Sequence, residues 1–294
     1  MHRSQQKHWL LACWLVASVL AVGCGDNKAA NLPADRPAGL KVTLNVPGNL
    51  ENKDIAEASG LAASRRRDDL LWTHNDSGSR ARIYALGLAG ESRGRAKIKG
   101  ADNKDWEDMA AFVLDGVPYL LIADVGDNAA KRDTVMLYIV EEPDLEADDK
   151  PELKPAWEIE LRYPGGPRDV EAVAVDSENA QVLLLAKRTI PAELYAVPLR
   201  PDTDAVVTAE FLGRLDTLPQ PSRRDIDFAP KTDDWFWQPT GMDIASDGSA
   251  LAIVTYHPAV YLYQRDGDWL NTVQQPPLRL TLRRTPKPES VAFG

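Results

Sequence analysis

Carboxylate and amide side chains gather in short segments that lie directly before or after apolar runs of the chain. Such oxygen donors, in a chain with almost no Cys or His, favour a hard cation such as Ca²⁺ over Zn²⁺. The competing interpretation is that Asp, Asn and Gly after a strand only form turns. The predicted metal ligands are Asn75, Asp76, Glu107, Asp124, Asp127, Asn128 and Glu171.

Three further side chains fall in equivalent segments and could hold an anionic ligand: Lys187, Arg188 and His257. Glu107 and Glu171 are the candidate catalytic residues, since a carboxylate beside a bound cation can act as general base. Two functions therefore stay open. One is a binding module for a small ligand or a protein, and the other is a divalent-cation-dependent hydrolase of phosphoesters, lactones or esters. No Ser-His-Asp spacing typical of a nucleophile and its base stands out in the sequence.

The elements that must position these residues are short strands. Apolar runs such as 70–73, 119–122, 182–185 and 251–254 are each followed by a second run of the same length, and turn residues separate them. A recurring tetrapeptide precedes each pair. Its five copies are Ser59-Gly60-Leu61-Ala62, Glu107-Asp108-Met109-Ala110, Glu171-Ala172-Val173-Ala174, Thr240-Gly241-Met242-Asp243 and Glu289-Ser290-Val291-Ala292.

With a closing strand, each repeat holds four short strands in a period typical of a β-propeller blade. The sequence therefore predicts an all-β chain, a β-propeller with about five blade-like repeats, the last of them incomplete. Residues 41–46 could supply the outer strand of that last blade and so close the ring. Either the ring closes on a reduced blade, or this chain is shorter than its relatives.

A propeller would also explain how distant residues meet. If the tetrapeptide opens the innermost strand, the next strand is antiparallel and ends where the first began. The residues at both points then crowd one face around the axis, and we expect an acidic rim there. Two charges about 4 Å apart interact by about 4 kcal/mol at an effective dielectric of 20, so such a rim requires a cation, a nearby base or protonation.

The segments Ser59-Gly60-Leu61, His74-Asn75-Asp76-Ser77-Gly78, Asp105-Trp106-Glu107-Asp108 and Asp124-Val125-Gly126-Asp127-Asn128 resemble a family of exported bacterial propeller lipoproteins. They are more distantly similar to phytase-like esterase propellers and regucalcin-like propellers. The resemblance spans residues 55 to about 142, and Asp169-Val170-Glu171-Ala172 matches the third blade. It implies a divalent cation held by acidic and Asn residues at the channel mouth.

The N-terminus has the organisation of a bacterial lipoprotein leader. Arg3 and Lys7 precede an apolar run from Trp9 to Val22 that is shorter than the roughly 20 residues of a membrane-spanning helix. The run ends in Leu20-Ala21-Val22-Gly23-Cys24, which resembles a lipobox. We therefore predict a signal peptide over residues 1–23 and lipidation (diacylglycerol and palmitate) at Cys24. The alternative is an ordinary leader cut nearby.

Residues 24–38 are polar and proline-containing, and we interpret them as a flexible tether before a propeller domain over residues 39–294. The chain has 34 Lys and Arg against 44 Asp and Glu. The net charge of −10 becomes more negative once Arg3 and Lys7 are removed, which excludes nucleic acid as an expected partner. The expected partner is the lipid bilayer, through Cys24. Residue 25 is Gly rather than Asp, which favours the periplasmic face of the outer membrane over the inner membrane.

Overall fold

The computed structural model describes residues 14–15, 48–148, 150–203, 205–220, 237–256, 259–282 and 287–294. Nearly all regular structure in these ranges is β-strand, arranged as four blades of a β-propeller. No helix in the described ranges is long and apolar enough to cross a membrane. The predicted tether, Cys24 and the possible closing strand at 41–46 lie outside the described residues.

The first two blades each contain five strands, the fifth added in parallel at the outer edge. Blade one has the order β2 (Ala58–Ala63), β3 (Leu70–Asn75), β4 (Arg82–Gly87), β5 (Ser92–Ile98) and β9 (Glu152–Leu153). Blade two has the order β6 (Trp106–Leu114), β7 (Val117–Asp124), β8 (Val135–Glu141), β10 (Trp157–Arg162) and β14 (Val207–Thr208).

The next two blades are four-stranded antiparallel sheets. Blade three has the order β11 (Val170–Asp176), β12 (Gln181–Ala186), β13 (Ala192–Pro198) and β15 (Glu210–Leu215). Blade four has the order β16 (Pro239–Ile244), β17 (Ala250–Thr255), β18 (Ala259–Gln264) and β19 (Leu278–Thr281). A short helix, α1 (Trp269–Gln274), connects the last two strands, and the Asp268 carboxylate caps it by accepting the amide of Asn271.

The fifth repeat corrects the prediction of about five blades, because the described chain has four. That repeat contributes only β20 (Ala292–Phe293), which pairs in parallel with β1 (Trp14–Leu15). Two residues cannot form a sheet of their own. β20 nevertheless lies between blades four and one, since Val291 packs in the core of blade four and Ala292 in that of blade one.

The hydrophobic core is divided into layers between neighbouring blades. Each inner strand is buried on both faces, as expected for a strand covered on two sides, and one cluster forms between each two successive blades from one to four. Three indole N–H groups cross these layers. Trp72 Nε1 donates to Glu142 of blade two, Trp157 Nε1 to the Leu199 carbonyl beyond blade three, and Trp269 Nε1 to Asp176 of blade three.

The inner strands are joined on the axis by the carboxylate of Asp108, which is fully buried. Its Oδ1 accepts the amide of Met109 at 2.9 Å. Its Oδ2 accepts the amides of Val173 and Met242 at 3.0 and 3.1 Å. One side chain of blade two therefore satisfies backbone donors of blades three and four.

We predict that Asp108→Ala lowers the free energy of unfolding by at least about 3 kcal/mol. The substitution leaves buried amides of Val173 and Met242 without an acceptor, and each such group costs about 1–3 kcal/mol. Urea unfolding measures the loss, with the exposed Asp68→Ala as control, for which a change within about 0.5 kcal/mol is expected. Equal stability of the two variants would contradict the axial role of Asp108.

Candidate functional site

The start of each inner strand carries a β-bulge, at the recurring tetrapeptide. The register shifts fall between Ser59 and Leu61, Trp106 and Asp108, Val170 and Ala172, and Pro239 and Gly241. A bulge leaves one residue out of the ladder and redirects its side chain. In blades two and three the residues so displaced are Glu107 and Glu171. The tetrapeptide therefore recurs because it forms this bulge, and the bulge turns the two glutamates out of the pleat.

A second repeated contact brings the end of each second strand over the start of the first. The same backbone hydrogen bond occurs in all four blades: Asp76 N to Glu57 O, Gly126 N to Asp105 O, Lys187 N to Asp169 O and Tyr256 N to Gln238 O. The donor residues thus occupy equivalent positions around one face of the ring, as do the acceptors. We call this face the rim.

Three rim carboxylates converge into a cluster. One oxygen from each of Asp76, Asp105 and Glu107 lies within 4.8 Å of the others, a spacing at which they could share one metal ion. Asp76 comes from blade one, and the other two come from blade two. We call this group the acidic triad. It brings together two of the predicted ligands and adds Asp105.

The triad has few internal hydrogen-bond donors. Glu107 is 6% exposed, yet its carboxylate accepts no hydrogen bond from any described residue, and the same holds for Asp105. The Asp76 carboxylate accepts only the amide of Ser77. A buried carboxylate without a donor is costly unless a cation or a proton compensates it.

The space for these side chains depends on Gly126. A Cβ atom at this position would lie 2.2 Å from Glu107 Oε1 and 2.6 Å from Asp105 Oδ2. Any larger residue would therefore push both carboxylates away. The backbone of the β7–β8 loop thus forms one wall of the site. Glycine is required at position 126 because the carboxylates approach its backbone closely, and not only because glycine favours turns.

The pKa values of the triad reflect this crowding. Burial, followed by the charges of Glu171, Asp76 and Asp105, raises the pKa of Glu107 well above its usual value. Burial and the carboxylates of Asp76 and Asp169 raise the pKa of Asp105 to about 6. Burial also raises the pKa of Asp76. The carboxyl groups of the triad therefore lose their protons at higher pH than ordinary carboxyl groups do.

On the opposite side of the rim, the negative charge of Glu171 is neutralised by Lys187. Lys187 is 5% exposed, and its ammonium group donates to Glu171 Oε1 and, at 3.2 Å, to the hydroxyl of Tyr256. Burial disfavours the charge of Lys187, but the carboxylates of Glu171 and Glu107 outweigh that penalty and raise its pKa. Glu171, a predicted ligand and candidate base, is thus engaged by Lys187.

The remaining predicted ligands contact protein groups. Asn75 binds blade-one backbone, accepting the amides of Ala56 and Glu57. Asp124 Oδ1 pairs with Arg132 at 2.8 Å. Asp127 and Asn128 lie in the β7–β8 loop. Asp127 Oδ2 accepts the amide of Arg132 within the loop. Two further contacts hold the loop against blade three: Asp127 N donates to Asp169 Oδ1, and Asn128 Oδ1 accepts from Arg188 Nη2.

The basic candidates have partners as well. Arg188 Nε donates to Asp169 Oδ2 at 2.6 Å, and its Nη2 donates to Asn128. Lys187 is paired with Glu171. His257 lies outside the described residues.

Asp105 was not among the predicted ligands, although it stands two residues before the tetrapeptide of blade two. The equivalent positions in the other blades are Glu57, Asp169 and Gln238, so three of the four carry an acid. This recurrence is the sequence signal that could have identified Asp105. An acid that recurs at the same position in several blades is a better indicator of a rim residue than an acid that merely follows a strand.

Comparison with known proteins finds only distant structural similarity. No protein-family model matches the chain, and no curated protein matches it. Among solved structures, the chain is similar to one in the crystal structure of a nidogen/laminin complex, with 9% identity and a TM-score of 0.43, over 83% of this chain and 71% of that one. It is also similar to the structure of U3-55K, with 14% identity and a TM-score of 0.39, over 81% of this chain and 57% of that one. At these scores the blade topology itself carries the fold assignment.

We predict that the metal-free protein loses stability as the pH rises from 5 to 8. The folded-state pKa of Asp105, about 6, lies above its unfolded value, so the stability that its protonation provides is present at low pH and is lost as the pH passes 6. Thermal unfolding in chelator at both pH values measures this loss. In Asp105→Asn the loss should be smaller by about 1 kcal/mol. Identical pH profiles for the two proteins would show that Asp105 is not perturbed.

Proposed function

We propose that this protein is a lipid-anchored envelope propeller that binds one divalent cation, with Ca²⁺ preferred, at the acidic triad, and presents that rim to a ligand or protein. The observation that carries the proposal is Glu107, a residue more than nine-tenths buried. Its carboxylate lies within 4.8 Å of those of Asp76 and Asp105 and accepts no hydrogen bond from the described residues. Three hard oxygen donors from two blades suit Ca²⁺, which accepts flexible, oxygen-only coordination. A cation there would also offset the mutual repulsion of the triad.

The chemistry of the rest of the rim favours binding over hydrolysis. A hydrolase acting on an anionic substrate needs free cationic groups to hold that substrate, and both Lys187 and Arg188 are paired with carboxylates. Asp105 and Glu107 accept no hydrogen bond from the described residues, but as ligands of the cation they would not be available as a general base. Binding of a ligand to the coordinated cation needs no general base.

We predict that Ca²⁺ stabilises the protein and that chelator reverses the effect. A ligand at 100 times its dissociation constant adds about 2.7 kcal/mol to the free energy of unfolding. Denaturant titration with and without Ca²⁺ measures the gain, and calorimetry gives the stoichiometry, expected to be one. Asp105→Asn and Glu107→Gln should each weaken Ca²⁺ binding at least about tenfold.

The matched control is Glu57→Gln, which neutralises an exposed rim acid outside the triad and should change the Ca²⁺ affinity by less than about threefold. No stabilisation by Ca²⁺, Mg²⁺ or Mn²⁺ in the wild-type protein would refute a cation site at the triad.

The anchoring part of the proposal rests on the lipobox-like segment that ends at Cys24. Two or more acyl chains on this cysteine would hold the protein stably on a membrane, because each buried methylene contributes about 0.8 kcal/mol. We expect labelled palmitate to be incorporated into the wild-type protein and to be absent from Cys24→Ser, which should move to the soluble envelope fraction. Equal labelling of both proteins would exclude Cys24 as the modified residue.

A further inference from the structure

Two neighbouring glutamates of the rim differ in their contact with a cationic side chain. Glu107 and Glu171 occupy the equivalent bulged position in adjacent blades, and each residue is only 6% exposed. Glu171 receives the ammonium group of Lys187, whereas Glu107 accepts no hydrogen bond from the described residues. The residue equivalent to Lys187 in blade two is Gly126. One glutamate thus binds a cationic side chain, and the other lies against the backbone of a glycine.

Lys187 is held in that place from two sides. Its ammonium group donates to Glu171 and to the Tyr256 hydroxyl, and it lies 5.0 Å from the centroid of the Tyr256 ring. Its charge also acts on the triad, since it opposes the raised pKa values of Glu107 and Asp76. A cation coordinated by Glu171 would have to displace this ammonium group.

We infer that Lys187 is a built-in counter-ion that limits the rim to a single exchangeable cation and keeps Glu171 out of its coordination. The inference rests on the proposed cation site and adds a residue that sets its affinity and stoichiometry. In this role Lys187 is a positioning residue. It occupies in blades three and four the place that a second metal ion would otherwise take.

The test is Lys187→Met, which keeps the length of the side chain and removes its charge. Without the ammonium group, Glu171 becomes an additional oxygen ligand and the repulsion disappears. We expect the Ca²⁺ affinity measured by calorimetry to rise at least about tenfold, or a second Ca²⁺ to bind. A role of Lys187 in folding alone would instead leave the Ca²⁺ affinity unchanged or weaken it.

Two further variants keep the result interpretable. The double variant Lys187→Met/Glu171→Gln leaves no unpaired carboxylate at this position, so it guards against loss of folding. It should gain affinity from the loss of repulsion but bind only one Ca²⁺. Arg188→Gln removes the neighbouring cation, which is paired with Asp169 and is one-third exposed, and should change the affinity by less than about threefold.

The outcomes separate this inference from the cation site itself. Wild-type binding of one Ca²⁺, with unchanged or weaker binding by both Lys187→Met proteins, would overturn the role of Lys187 and leave the proposed function intact. Failure of the wild-type and of both variants to bind would overturn both. Binding by Lys187→Met alone would overturn the proposed cation site of the native rim and, with it, the inference that Lys187 limits that rim to one cation.

Discussion

The buried carboxylate of Asp108 on the ring axis is the interaction on which the arrangement of the inner strands depends. It accepts backbone amides from its own blade and from the two that follow. The preceding residue, Glu107, lies in the same bulge but faces the rim, where it accepts no hydrogen bond from the described residues. Two adjacent carboxylates therefore differ in the hydrogen bonds that they accept. The one inside the ring is saturated with N–H groups and fixes the blades, which leaves the one at the mouth free to bind a cation.

The charges of the rim follow from the same geometry. In a closed ring, the first residues of all inner strands converge, and acids placed there repel each other more strongly as burial removes water. Blade three resolves this with Lys187, and the β7–β8 loop resolves it for Asp124 with Arg132. Among the described residues, no Lys or Arg forms a salt bridge with the acidic triad of blades one and two, so its negative charge is less directly compensated than that of the neighbouring acids.

The strands could be predicted from the sequence because their apolar runs and the repeated tetrapeptide are local signals. The alternation of first and second strands then placed Asp76, Glu107 and Glu171 on one face, as the structure shows. What could not be predicted is the partner of each acid. Asp127 and Asn128 were predicted as cation ligands. In the structure the Asp127 carboxylate accepts the amide of Arg132 in the same loop, and the Asn128 side chain accepts from Arg188 of blade three. Such pairings depend on the distance between blades, which no single repeat encodes.

The residue type at the first position of the tetrapeptide explains why the rim is asymmetric. Ser59 and Thr240 place a hydroxyl group there, and each donates it to a backbone carbonyl of the following repeat, Glu107 O and Pro288 O. Glutamate at the same position is too long for that contact and extends to the rim instead. A short hydroxyl residue therefore forms a hydrogen bond to the next repeat, whereas a glutamate lacks that hydrogen bond and places a charge at the rim. Blades two and three tolerate glutamate in place of a hydroxyl residue because Asp108 already joins those blades from the axis. The site at the rim therefore depends on the Asp108 carboxylate.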